Sequence, residues 1–380
     1  MHRNIPRFQT KQILKHLDVF PCVALLGSRQ VGKSTLAKHI LKQFKDSVYL
    51  DLEDPRDVAK LQDPLAYLEA NSNKIICIDE VQRKPDIFQV FRTYLDQSKR
   101  AGQLLILGSA SRELIKQSSE SLAGRISYIE INPFTACEVG DYKRLWLQGG
   151  YPLSYLNDEE MSFDWRINYI RTFLEQDIPQ LGITIPAQTL RRFWTMLAHC
   201  NGSLLNTAKL AASMGVSKPT IKNYLDILTG TFVIRQLPAY HSNTKKRLVK
   251  SPKIYFKDSG LIHCLLGIES FNDILGHPAL GNSYEAFVLA TVLEKYPRHQ
   301  ASFYRSAGGA EIDLILQKGQ HKIAIEIKAS QSPKLSKGFY EALKVVQADI
   351  ALVIAQIDEP YPLNNDVWAY DLKSFLALEL

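Results

Sequence analysis

Cysteine is scarce and unorganised in this sequence. Five cysteines stand singly among 380 residues, at Cys22, Cys77, Cys137, Cys200 and Cys264, with no C-x-x-C pair and no histidine at metal-ligand spacing. That pattern excludes a disulfide-stapled scaffold and a structural zinc site, and reduced thiols in a cytoplasmic protein are the expectation. Long apolar runs are missing too: the longest are strand-sized and interrupted, so no membrane partner is expected. Met1-His2-Arg3-Asn4-Ile5-Pro6-Arg7 lacks the apolar core of a secretory leader. There is no internal repeat and no low-complexity tract. Charge is modest as well, since a net +7 permits an anionic partner without demanding one. What remains, 46% apolar and 22% charged residues, is ordinary globular composition, and the length predicts two or three domains.

Against this plain background one segment is specific. Gly27-Ser28-Arg29-Gln30-Val31-Gly32-Lys33-Ser34 fits G-x-x-x-x-G-K-[ST]. Val23 to Leu26 before it reads as a buried strand, and Thr35 to Leu41 after it reads as a helix. That strand–loop–helix context is what a phosphate-binding loop requires. Gly27 and Gly32 let the backbone turn its N–H groups toward phosphate oxygens, and the helix that carries Lys33, Ser34 and Thr35 adds its positive end. Lys33 is expected on the β- and γ-phosphates, and the Ser34 hydroxyl on Mg²⁺.

Two further strand ends complete a hydrolytic constellation. Lys74-Ile75-Ile76-Cys77-Ile78-Asp79-Glu80 runs apolar residues straight into two carboxylates. This suits a parallel strand buried on both faces, with ligands at its carboxyl end. Asp79 is expected to hold Mg²⁺ and Glu80 to polarise the attacking water as general base. Gln103 to Ser109 is a third apolar run that ends small and polar, and Ser109, or Ser111, is placed to touch the γ-phosphate or the water. Arg125, in Leu122-Ala123-Gly124-Arg125, is a candidate charge-stabilising arginine. It would act in cis or, in a homo-oligomer, from a neighbouring subunit. Its other reading is a surface pair with a carboxylate.

The expected organisation is an α/β nucleotide domain over residues 1–150, a helical domain over 151–270 and a third domain over 271–380. In the first, helix 9–17, strand 22–26, helix 33–44, strand 48–54, helix 64–71, strand 75–79, helix 86–99, strand 103–108 and strand 128–131 alternate. In the second, helices 164–175 and 188–199 precede a helix-turn-helix over 206–228. Leu210, Ala211 and Met214 line one helix, Gly215-Val216 makes the turn, and Ile221, Tyr224, Leu225 and Leu228 line the other. Strands 232–240 and 253–256 then make a wing whose loop carries Lys245-Lys246-Arg247 and Lys250. Lys218, Thr220 and Lys222 on the second helix, with Lys245, Lys246 and Arg247, are candidate DNA contacts. Winged helices also serve as protein-contact modules.

The third domain carries the second chemical signal. Helix 281–295 contains Glu285. Strand Glu311 to Leu316, a turn at 317–320 and the return strand His321 to Lys328 form a hairpin. Strand side chains alternate, so Glu326 and Lys328 share a face, as do Glu311 and Asp313. Glu285, Asp313, Glu326 and Lys328 can converge. Acidic ligands for Mg²⁺ beside a lysine are a kit for phosphodiester hydrolysis. A structural ion pair, or a site without activity, fits the same residues.

These motifs together resemble a known family, the prokaryotic P-loop ATPases of the AAA+ superfamily (AAA_14 type) with a C-terminal DUF4143 region. Phe8, the loop Arg29 to Ser34, Ile78-Asp79-Glu80-Val81-Gln82, Gly108-Ser109, Leu122 to Arg125 and Pro133-Phe134 carry the likeness in the first half. Arg171 to Asp177, Lys253 to Leu261 and Asp313…Glu326-Ile327-Lys328 carry it in the second. The resemblance implies an AAA-type core that uses ATP, a winged-helix connector and a domain similar to restriction-endonuclease-like nucleases. It leaves two functions to weigh. One is an ATPase whose nucleotide state controls a nuclease-like output on DNA. The other is a nucleotide-dependent regulatory or interaction module with a catalytically silent C-terminal domain.

Overall fold

A computed structural model describes residues 5–98, 100–109, 122–180, 182–183, 185–240 and 249–380. The chain divides into two compact units, Met1–Pro133 with Gly230–Phe232, and Phe134–Thr229 with Val233–Leu380. By packing, therefore, residues 134–150 go with the second unit rather than with the nucleotide domain, and the segments 151–270 and 271–380 share one unit.

The first unit is built on a five-stranded sheet ordered β2-β3-β4-β1-β5, with every pairing parallel. The strands are β1 (Cys22–Leu26), β2 (Ser47–Asp51), β3 (Ile75–Asp79), β4 (Leu104–Gly108) and β5 (Ile126–Glu130). All five residues of β1, β3 and β4 are buried, which is why they read as unbroken apolar runs rather than alternating ones. On one face Ile76, Ile78, Leu104 and Ile106 pack with Phe88, Phe91 and Leu95 from helix Ile87–Ser98. The expected strand 48–54 stops at Asp51. There the Asp51 carboxylate accepts the Glu53 amide at 2.8 Å, and Asp54 caps a short helix, Pro55–Lys60, by accepting Arg56 N–H. Strand β5 starts at Ile126 because it pairs in register with β1 from Cys22.

In the second unit, helices Thr207–Met214 and Lys218–Gly230 stand where the helix-turn-helix was expected. Gly215 closes the first at φ +68°, a left-handed conformation that favours glycine. Ser217 accepts the Thr220 amide at 3.2 Å to start the second. An antiparallel pair follows, β6 (Ile234–Leu237) with β7 (Lys253–Phe256). Strand β6 is shorter than the expected 232–240. Past it, Phe303 N–H bonds Pro238 and Tyr240 N–H bonds Phe303, which leads the chain onto the next sheet. That sheet is mixed and six-stranded, in the order β12-β13-β11-β10-β9-β8. It comprises β8 (Gln300–Arg305), β9 (Glu311–Lys318), β10 (His321–Lys328), β11 (Ile350–Ala355), β12 (Tyr361–Pro362) and β13 (Val367–Tyr370). Its β9–β10 hairpin is the one expected from the sequence.

Three glycines knit this unit together around Asp258. The Asp258 carboxylate accepts Gly150 N–H at 2.7 Å and Leu261 N–H at 2.9 Å, so it joins the turn after helix Tyr142–Gln148 to the start of helix Ser259–Leu266. A Cβ on Gly150 would fall 2.0 Å from the Phe134 carbonyl oxygen, and one on Gly260 2.2 Å from that of Gln148. Gly149 has φ +78° and no room beside the same carboxylate. Asp258→Ala removes two charge-assisted bonds and a helix cap and leaves a buried N–H unpaired. The expected loss is about 3 kcal/mol of stability, read as the urea midpoint of the full chain. A midpoint unchanged from wild type would refute this role.

Candidate functional site

The phosphate loop spans Gly27 to Gly32 between β1 and helix Lys33–Leu41. Gly32 caps the helix at φ +95°, and Gln30 also takes a left-handed turn at φ +61°. These turns set the loop's amides inward. A Cβ on Gly27 would fall 2.2 Å from the Ile131 carbonyl oxygen, so only glycine lets the loop lie against the end of β5. Arg7 braces the same place by donating to Val31 O at 2.7 Å and Asn132 O at 2.5 Å.

Lys33 is buried, with its ammonium donating to Gly27 O at 3.0 Å and Ser28 O at 2.9 Å. Burial pushes its pKa down to about 8, against the opposing pull of Glu80 and Asp79. Ser34 is half-buried in the first helical turn, and Thr35 beside it is exposed. Asp79 ends β3 with one carboxylate oxygen on Tyr49 OH at 2.5 Å and the other on Glu80 N–H at 2.9 Å. The Ser34 hydroxyl lies beside the same Tyr49 hydroxyl. Carboxylate and hydroxyl oxygens clustered at one strand end are the hard donors that suit Mg²⁺, so the residues fit that ion.

Glu80 sits at φ +53°, a left-handed turn that lifts its side chain off the strand. Its carboxylate accepts from Gln82 Nε2, which also donates to Ser109 Oγ at 3.1 Å, and Ser109 Oγ stands 3.5 Å from the same carboxylate oxygen. Burial raises its pKa above the usual carboxylate range despite Lys33. The carboxyl ends of β1, β3 and β4 thus bring Lys33, Ser34, Asp79, Glu80 and Ser109 together. Ser111 lies outside the described residues.

Arg125 is elsewhere. It precedes β5, its carbonyl accepts Cys22 N–H at the start of β1, and its guanidinium pairs with Asp96 at 2.5 Å. The phosphate loop follows the other end of β1, about 16 Å of strand away. The cis reading of Arg125 is therefore corrected: this side chain lies at the amino end of the sheet. At the loop itself Arg29 pairs with Glu53 at 3.5 Å, and Arg83 pairs with the same carboxylate at 2.6 Å. Sequence reasoning missed Tyr49, Glu53 and Arg83, because each becomes relevant only once the strand order is fixed.

The second cluster lies in the second unit. Glu285 comes from helix Leu280–Lys295, Asp313 from β9, and Glu326 with Lys328 from β10. Lys328 pairs with Glu326 at 2.7 Å, and Asp313 Oδ2 accepts Ile327 N–H at 3.1 Å. Burial, then Asp313, push both Glu285 and Glu326 above the usual carboxylate range. A further residue stands at the centre: Lys253, first on β7, which contacts Glu285, Glu311 and Asp313. A lysine opening an otherwise apolar strand was the available signal. On helix Lys218–Gly230, Lys218 and Lys222 are exposed, and the Thr220 hydroxyl is engaged with Ser217 at 2.8 Å. Lys245, Lys246 and Arg247 lie outside the described residues. No helix among the described residues is long and apolar enough to cross a membrane.

Family models match the chain in three successive stretches. They are an AAA domain over residues 19–140, a domain of unknown function (DUF8612) over 139–272, and a domain of unknown function (DUF4143) over 280–375. The uncharacterized proteins Mb2031c of Mycobacterium bovis and Rv2008c of Mycobacterium tuberculosis are each 41% identical over 360 residues, 94% of this chain and 81% of theirs. Among solved structures, the Walker-type ATPase PABY2304 of Pyrococcus abyssi is similar at 13% identity and TM-score 0.46, over 69% of this chain and 96% of that one. A RuvB variant of Thermotoga maritima is similar at 17% identity and TM-score 0.31, over 62% of this chain and 90% of that one.

Proposed function

Because this chain belongs to the family of AAA-domain proteins with a C-terminal DUF4143 region, we propose that it binds ATP with Mg²⁺ in its first unit, hydrolyses it, and uses nucleotide state to control the second unit on DNA. The observation that carries this reading is the convergence of Lys33, Asp79, Glu80 and Ser109 at adjoining strand ends.

Each residue has a task in it. Lys33 leaves the Gly27 and Ser28 carbonyls to donate to phosphate oxygens. The loop amides and the helix end hold the rest of the phosphate chain. Ser34 and Asp79, steadied by Tyr49, would hold Mg²⁺, which supplies charge neutralisation to the phosphates when bound. Glu80, raised in pKa by burial and oriented by Gln82 and Ser109, accepts the proton of the attacking water. Arg29, on the loop itself and paired with Glu53, is the cation placed to serve in cis where Arg125 is not. Glu53 keeps its shorter pair with Arg83 when Arg29 turns to phosphate. A homo-oligomer that brings Arg125 of one copy to the site of another remains compatible with this scheme.

On the second unit, the exposed Lys218 and Lys222 favour a basic helix face for duplex DNA. The engaged Lys253 favours the reading in which the C-terminal domain is catalytically silent and serves as a nucleotide-dependent binding module. The test is ATP turnover by the full chain with and without duplex DNA, at low and moderate salt. Turnover that rises with DNA and loses the rise as salt increases is expected. Turnover indifferent to DNA, with no salt-dependent binding, would remove DNA from the proposal. Absence of turnover under all conditions would remove hydrolysis.

A further inference from the structure

Lys253 Nζ lies 3.1 Å from Glu285 Oε1, 2.9 Å from Glu311 Oε1 and 3.2 Å from Asp313 Oδ1, with 3% of its side chain exposed. The ammonium donates hydrogen bonds to Glu285 and Asp313 and pairs by charge with Glu311. The Phe303 ring closes the pocket from 5.6 Å. Three acids drawn from a helix and a strand around one buried point repel each other unless a cation sits between them. Inward-facing carboxylate oxygens at such a point are also what a divalent ion coordinates. One further oxygen belongs to this neighbourhood: Glu326 Oε2, beside Asp313, is buried and has no hydrogen-bond partner.

The backbone that carries Lys253 is held on both sides. It pairs with Leu237 in the β6–β7 ladder and bridges Leu204. Its neighbours are tied by Leu205 N–H to Pro252 O at 2.8 Å and Gly202 N–H to Ile254 O at 2.7 Å. A side chain fixed in this way competes for the pocket intramolecularly, without the entropy cost of capturing a free ion. Among the described residues, no group of three or more His, Cys, Asp and Glu side chains is disposed to hold a metal ion.

We propose that Lys253 is the built-in cation of this pocket, and that it excludes divalent metal from Glu285, Asp313 and Glu326 so that the chain as folded runs no metal-dependent phosphodiester cleavage there. The proposal rests on these contacts and not on the ATPase reading, so the two fail separately. The cluster is then a closed cation pocket opened by removing one side chain.

The test counts Mn²⁺ bound per chain, by electron paramagnetic resonance of free Mn²⁺, in nucleotide-free wild type and in Lys253→Met, whose side chain keeps the length without the charge. Any Mn²⁺ at the phosphate loop is common to both. Lys253→Met is expected to gain one Mn²⁺ site that wild type lacks, to unfold at a higher temperature when Mn²⁺ is added, and to lose both gains when Asp313→Asn is combined with it. Should Lys253→Met not fold, the charge-balanced Lys253→Met/Glu311→Gln double variant carries the same test, since it leaves Glu285, Asp313 and Glu326 in place. A folded variant with no added site overturns the proposal. So does a wild-type Mn²⁺ site, or wild-type plasmid cleavage, that disappears with Asp313→Asn.

Discussion

Lys33→Ala is expected to weaken ATP binding by about 10²–10⁴-fold, the worth of two charge-assisted hydrogen bonds to phosphate at about 1.5–3 kcal/mol each. In the resting loop the ammonium is buried and held by two carbonyls of its own loop, which it exchanges for phosphate oxygens on binding. Alanine leaves those carbonyls facing the phosphates with no donor between, which adds repulsion to the lost attraction. Equilibrium titration with a fluorescent ATP analogue measures the change, and an affinity within threefold of wild type would refute the role. The pH dependence carries its own sign. Burial sets the Lys33 pKa near about 8, so at pH 7 the side chain is charged, and above 8 the empty loop holds a neutral amine. Phosphate stabilises the charged form, so binding above pH 8 takes up a proton, and affinity should fall by about tenfold per pH unit there. In Lys33→Ala that slope should vanish.

Glu80→Gln should leave ATP affinity near wild type and cut turnover by about 10²–10⁴-fold, the range typical of a lost general base. The substitution keeps size and shape and can still bond Gln82 and Ser109, so the left-handed turn at Glu80 has no reason to relax. What it removes is the capacity to accept a proton, which burial strengthens in this carboxylate. Steady-state phosphate release and nucleotide titration on the same preparation separate the two quantities. Normal turnover in Glu80→Gln would show that another group takes the proton. A parallel loss of affinity would show that Glu80 holds the loop rather than the water.

The parts of this molecule legible in its sequence are those in which one segment carries its own physics. The loop Gly27–Ser34 and the run Ile75–Asp79 needed no partner to be read, because phosphate cradling and two-faced burial are written locally. The β9–β10 hairpin was legible for the same reason, as two apolar runs around a Lys-Gly turn. Contributions from another segment were not legible. Tyr49 meets Asp79 only because β2 lies beside β3, and Lys253 meets Asp313 across 60 positions of chain. For Arg125 the choice between the site and a surface carboxylate pair stayed open, because a sequence does not tell which end of a sheet a loop occupies. Strand β8 escaped notice because Gln300, Ser302 and Arg305 dilute its apolar character, and only pairing with β9 makes it a strand.

The carboxylate of Asp258 has one more consequence, in the order of events during synthesis. Its bond to Gly150 spans 108 positions, and Arg166 reaches Gly260 across 94. A growing chain that has delivered the helices before Gly150 still lacks the acceptor for that amide and the backbone against which Gly149 and Gly150 fit. Closing a loop of that length costs entropy that no local contact repays. The phosphate-loop sheet is under no such wait, since the last of its strands ends at Glu130. That sheet can therefore pair while the rest is still being made, and Phe232 joins its core later. The second unit stays open at this joint until Gly260 has emerged, and its six-stranded sheet, which runs to Tyr370, can close only later.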